Sequence, residues 1–224
     1  AAAAPAAAGP KGAIKGKVAF AGAAPAPKKL DRASDPFCAK TEAVDQAVVV
    51  NANKTLANVW VKVMGAPDGE APKDPIDIIQ KDCIYEPRVL GVVAGQKVAI
   101  KNGDQTLHNV HTYRGADTID NLAQPPGSPA IKKKMKAAKP GQPQEIRFSC
   151  DVHPWMTAYV GVHNNGLHAV TGKDGAFEIK DVPVGKYTVE AWHEVYGVKK
   201  VEVEVKADAP AAAEFSYDGT ENKG

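Results

Sequence analysis

The 224-residue sequence has no marked excess of either charge: 28 basic against 26 acidic side chains leave a formal net charge of +2. A nucleic-acid binder needs a concentrated basic surface to displace the counterions of phosphate, so nucleic acid is not the expected partner. No apolar run reaches the roughly 18 residues that cross a bilayer as a helix, and no transmembrane segment is expected. No stretch longer than about ten residues keeps a clean 3.6-residue period, which removes long amphipathic helices. Sulfur is scarce, with three cysteines and three methionines. No pairing of nucleophile and base stands out, so the chain is not expected to be an enzyme.

What is present is short, β-branched and alternating. GKVAFAG, QAVVVN, LANVWVKVMG, IDIIQ, QKVAIKN, QEIRFSC, TAYVGVH, GAFEIK, KYTVEAW and KKVEVEVK read as strands bounded by Gly, Pro, Asn and Asp. NANK is a hairpin-type turn, and IKKKMKAAK reads as a charged loop rather than a short helix. The fold class is therefore all-β. AAAAPAAAGP at the start is a flexible tether in composition. Opening on Ala1 fits a mature exported chain whose signal was removed, although a trimmed recombinant chain reads equally plainly. The odd cysteine count then suggests one disulfide and one reserved thiol. The expected pair is Cys38 with Cys83, leaving Cys150 free.

Composition breaks at Met64–Pro75, rich in Pro, Gly and Asp, and again at His163–Gly166. The blocks outside these breaks each hold few strands for a sandwich of their own. Together they resemble the carboxypeptidase regulatory-like, or transthyretin-like, sandwich. Thr171, Gly175, Phe177 and Ile179, then Val182, Pro183, Gly185 and Tyr187, match its second half, and Val59, Val61 and Val63 match the first more loosely. The resemblance implies a small sandwich formed by residues 13–70 and 164–218, with a tail at 1–12, another at 219–224, and a separate domain inserted at 74–163. Insertion at a hairpin tip is topologically cheap, because the ends of an inserted domain lie close together.

The inserted block carries the chemistry. In CDVHPWM, Cys150, His153 and Met156 put a thiol, an imidazole and a thioether on one short loop, the side chains best suited to soft metals. Upstream, His108-Asn109-Val110 follows the strand QKVAIKN. This order resembles a cupredoxin, and the loop spacing, with two residues between Cys and His and two between His and Met, is similar to the amicyanins. The resemblance implies a Greek-key sandwich binding one type 1 copper ion through His108, Cys150, His153 and Met156. It further implies that Asn109 ties the two ligand loops by hydrogen bonds. His153 is expected to break the surface within an apolar patch, with Pro154 and Trp155 beside it, as the electron-transfer surface. A His2Cys plane with a weak axial Met serves both copper oxidation states with little rearrangement. Structural zinc seldom uses a thioether.

The other histidines are not assigned as ligands. His111 is read as a surface residue, and His163, His168 and His193 are each expected to make an interdomain hydrogen bond. The lysine run Lys132–Lys139 is read first as a solvated loop and second as a surface that steers an acidic partner. The expected function is a periplasmic or extracellular blue-copper electron carrier, exchanging single electrons with a redox protein such as a cytochrome or a dehydrogenase. The alternatives are a copper storage or delivery module, or an adhesion or scaffold protein with an incidental copper site.

Overall fold

The computed structural model describes residues 9–221. Most of the stretch read as an N-terminal tail, and the last three residues of the C-terminal one, lie outside the described residues. The described chain is all-β, with a single 3-10 turn at Cys38–Lys40 and no α-helix among the described residues. Its strands are β1 (Lys11–Phe20), β2 (Trp60–Met64), β3 (Ile76–Lys81), β4 (Ile84–Glu86), β5 (Val89–Val93) and β6 (Lys97–Asn102). Next come β7 (His108–Arg114), β8 (Asp117–Gln124), β9 (Ile131–Lys134), β10 (Glu145–Ser149), β11 (Thr157–His163) and β12 (His168–Val170). The last are β13 (Ala176–Pro183), β14 (Gly185–His193), β15 (Gly197–Val205), β16 (Ala211–Ala212) and β17 (Phe215–Tyr217).

Period-two alternation sorts these strands around two apolar clusters. In β13 Phe177 and Ile179 point inward while Glu178 and Lys180 face water, as a half-buried strand requires. The first cluster joins Ile14, Val18 and Phe20 of β1 with Val61 and Val63, Phe177 and Ile179, Val189 and Ala191, Val203 and Val205, and Phe215 and Tyr217. It lies between the sheet β13-β1-β16, with β17 also on β1, and the sheet β12-β2-β14-β15. The second cluster joins Ile78, Tyr85, Val98 and Ile100 with Leu90, Val92, Val110, Phe148, Val160 and Val162. These side chains come from the sheets β4-β3-β6-β9 and β5-β11-β10-β7-β8.

The chain passes to and from the second cluster at neighbouring points. Gly69 N donates to Asn164 O at 3.0 Å, and Asn165 Nδ2 donates to Pro67 O at 2.9 Å. β2 serves both sides. Val61 and Val63 enter the first cluster, whereas Trp60, Val89 and Trp192 form a small apolar seam between the two. The seam is pinned by polar contacts. Arg88 forks onto Glu194, with Nε to Oε1 and Nη2 to Oε2 both at 2.7 Å. Buried Lys62 reaches Glu190 at 2.7 Å and Gln144 Oε1 at 2.6 Å. His163 Nε2 meets Val63 O at 2.9 Å.

Two expectations need correcting. QAVVVN does not form a strand: only Val50 makes an isolated bridge, to Leu56. Asp45 Oδ1 accepts from Ala47 N at 2.8 Å and bends the backbone into a turn there. IKKKM is not a loop, because Ile131 and Met135 both reach the second cluster and draw the segment into edge strand β9 beside β6. Its lysines guard that edge. His193 Nδ1 accepts from Val195 N at 3.1 Å and Tyr196 N at 3.3 Å within its own hairpin.

Candidate metal centre

Two elements of one sheet bring the site together. His108 opens β7, and Cys150 follows β10, to which β7 is directly paired. The chain then turns sharply through residues 150–156 before β11. Met156 N donates to His153 O at 2.9 Å and Cys150 N to Met156 O at 3.3 Å, so the loop closes on itself. Asn109 fastens it to β7: its Oδ1 accepts from Asp151 N at 2.6 Å, and its Nδ2 donates to Asp151 Oδ2 at 3.1 Å. Asn109 N also points at the Cys150 sulfur, 3.4 Å away.

Within this frame the Nδ1 atoms of His108 and His153 stand 2.9 Å apart. Cys150 Sγ lies 4.0 Å from the first and 3.6 Å from the second. All three side chains are buried. Met156 is fully buried in the same apolar cluster as Cys150 and Phe148. Cys150 is the free cysteine, because Cys38 and Cys83 form a disulfide.

The outer nitrogen of each imidazole meets a carboxylate. His108 Nε2 lies 2.8 Å from Asp104 Oδ2, and His153 Nε2 lies 3.0 Å from Asp35 Oδ2. A carboxylate accepts, so each Nε2 carries the hydrogen and a neutral ring turns its Nδ1 lone pair inward. Two lone pairs at 2.9 Å repel unless a proton or a cation lies between them. The donor set therefore fits a metal ion with a taste for two imidazoles and a thiolate, such as copper or zinc. Burial disfavours a charged His108, yet Asp104 and Cys150 together hold its pKa above the ordinary histidine value. Burial likewise pulls Asp35 and Asp104 upward. Their histidine partners and the backbone N–H donors win, and both carboxyls lie below the usual range.

Neither acid was identified as a site residue from sequence. Asp104 stands four residues before His108, a spacing that would have found it had a partner for the outer imidazole nitrogen been sought. Asp35 is remote in sequence, and no local pattern ties it to His153. Two further groups of metal-binding residue types, Asp35–Cys38–His153 and Cys83–Asp104–His108, each include a sulfur of the disulfide. That sulfur has no thiolate to offer.

The exposed-edge expectation for His153 is overturned. Its side chain is only 1% exposed, because the segment bearing Asp35 lies across the imidazole. Trp155 is half-buried beside it, with ring centroids 5.1 Å apart, and its Nε1 donates to Cys83 O at 3.0 Å. Of the three residues read as a surface, Pro154 alone is exposed. Val152, 48% exposed, lies next to His153. His111 stands three residues from His108, so strand alternation turns it to the other face, where Nδ1 meets both Asp151 oxygens at 3.0 Å.

No family model matches the chain, and no curated protein matches it. Among solved structures it is similar to a purple cupredoxin from Nitrosopumilus maritimus, at 21% identity and a TM-score of 0.30, over 39% of this chain and 99% of that one. It is also similar to amicyanin from Paracoccus versutus, at 19% identity and a TM-score of 0.34, over 46% of this chain and 97% of that one. A copper-containing nitrite reductase from Thermus scotoductus SA-01 gives 17% identity and a TM-score of 0.32, over 46% of this chain and 25% of the reductase.

Proposed function

We propose that the chain is a cupredoxin-type blue-copper protein that passes single electrons between redox proteins outside the cytoplasm. The observation that carries this reading is the convergence of two inward Nδ1 atoms and one free thiol in a buried pocket. His108, Cys150 and His153 would hold the ion, with Met156 as the weak fourth ligand. Copper, when bound, supplies a one-electron couple. The residues' part is to keep the donors fixed in both oxidation states: β7 and β10 hold two of them from a paired sheet, and Asn109 locks the loop that carries the others. The donors lie away from water, His108, Cys150, His153 and Met156 all being buried, with Asp35 on the outer nitrogen of His153.

With four protein donors assigned, no position is left for a substrate, which favours a carrier over an oxidase. In this reading residues 74–163 are the copper domain, inserted into a transthyretin-like sandwich built by the flanking segments. A partner such as a cytochrome or a dehydrogenase docks where Leu107, Val152 and Pro154 expose apolar surface next to the ligands. An absorption spectrum of the oxidised, copper-loaded protein tests the reading. An intense visible thiolate-to-copper band that disappears on reduction is expected. A colourless Cu(II) protein would remove the carrier reading.

A further inference from the structure

The segment between β1 and β2 sends an arm over the site. Its base is a short antiparallel contact, with Leu30 N to Ala43 O at 3.0 Å and Asp45 N to Lys28 O at 2.8 Å. Arg32, 4% exposed, spans the arm: its guanidinium donates to Thr41 Oγ1 at 2.8 Å and to the backbone oxygen of Asp82. At the tip Asp35 accepts four hydrogen bonds. Oδ1 takes Phe37 N at 2.7 Å and Cys38 N at 3.1 Å. Oδ2 takes Thr106 Oγ1 at 2.8 Å and the His153 ring at 3.0 Å.

Asp104 is held in a matching way. Asp82 and Cys83 both have positive φ, 52° and 56°, in the two-residue turn between β3 and β4, the backbone of a tight primed hairpin turn. That turn aims Asp82 N at Asp104 Oδ1, 2.7 Å away, and Cys83 N at Oδ2, 2.8 Å away. The Cys38–Cys83 disulfide therefore joins two residues whose backbone N–H groups each hold one of the two carboxylates. One covalent bridge links both imidazole–carboxylate pairs.

We propose that Asp35 is a positioning residue for the metal centre, and that the Cys38–Cys83 bridge ties it to Asp104 as one outer frame that keeps both Nδ1 atoms turned inward. The inference rests on the copper reading above and adds a direction to it. A carboxylate on the far nitrogen raises the basicity of an imidazole ligand, and the more basic ligand favours Cu(II) over Cu(I). Residues around a metal site that orient its ligands commonly contribute 10–100-fold to affinity.

The test substitutes Asp35→Asn, which keeps the shape and the Oδ1 contacts but can present an amide N–H to His153 Nε2. Two quantities are read. In the metal-free protein, NMR should show a His153 Nε2–H proton protected from solvent exchange in the native chain and lost in the variant. In the copper protein, Cu(II) affinity should fall at least tenfold relative to Cu(I), which raises the reduction potential by about 59 mV for each tenfold. A Cys38→Ser/Cys83→Ser double variant keeps both carboxylates and should release copper to a chelator faster than the native chain. If Asp35→Asn does not fold, Thr106→Val, which removes one donor to Asp35, is read in the same way with a smaller shift. An unchanged potential together with a persisting Nε2–H proton overturns the proposal, even where thermal stability has dropped. A colourless Cu(II) protein would defeat the copper reading alone, because the metal-free proton signal still decides the role of Asp35.

Discussion

The ring of Trp60, on β2, lies over the backbone of Gly161, on β11, so closely that a Cβ on the glycine would come within 2.4 Å of it. The contact sits in the seam between the two apolar clusters, where neither partner has room to yield. Gly161→Ala is predicted to destabilise the protein by about 3 kcal/mol, the upper range for overpacking. The shift in denaturant midpoint at unchanged m-value measures it. Adding Trp60→Ala should recover part of the loss, since the two changes share one contact. Strict additivity in the double variant would show that the glycine is not there for the indole.

Lys62 and Glu190 form the most buried ion pair of the seam, with side chains 3% and 10% exposed. Removing one member of such a pair strands the other and typically costs about 3–5 kcal/mol. Lys62→Met is predicted to cost the lower part of that range, because Lys200 still reaches Glu190 at 3.2 Å. The double variant Lys62→Met/Glu190→Leu should lose less than Lys62→Met alone, read by thermal unfolding.

The seam should also respond to acid through its histidines. Burial, and secondarily His163, push the pKa of His168 down from 6.5 to about 4. Burial lowers His163 in the same direction. The unfolded chain therefore binds more protons between pH 6.5 and 4. Stability is complete above pH 6.5 and falls as the pH drops through this window, by at most about 3 kcal/mol for His168. The difference in Tm between the native chain and His168→Phe, followed from pH 7 to 4.5, isolates this contribution, and the variant's curve should be flatter. Parallel curves would contradict it.

Under the copper reading proposed above, two substitutions at the candidate centre should separate. Cys150→Ser removes the thiolate and is predicted to abolish the visible band. Met156→Leu should keep both the band and the copper while raising the potential, since the axial ligand mainly tunes it. Visible absorption and voltammetry on the two variants check this.

The strands with clean alternation, such as AFEIK and KKVEVEV, were readable because each buries one face. β8 was not, because Thr118–Ala123 is largely exposed and its alternation carries no apolar signal; pairing with β7 makes it a strand. The four proposed ligands could be named from local motifs on one loop and one strand. What the motifs did not carry was the arm. Asp35 stands far from His153 in sequence, and the arm that carries it is joined to the turn at Cys83 by a disulfide across a separation of 45 residues. For the same reason the expected exposed edge of His153 was wrong: local sequence shows what a loop can bind, but not what another segment lays over it.

The pairing of β1 has a consequence for biosynthesis. Its antiparallel neighbour is β13 and its parallel neighbours are β16 and β17, all far downstream. As the chain leaves the ribosome, β1 emerges before the other described strands but waits for β13, β16 and β17 before its sheet can form. The cluster bounded by β3 and β11 has all its strands by residue 163. Contacts of such long sequence separation form slowly, and segments generally fold as their units complete. The cluster that holds the candidate site can thus be complete while β1, upstream of it, is still an open thread.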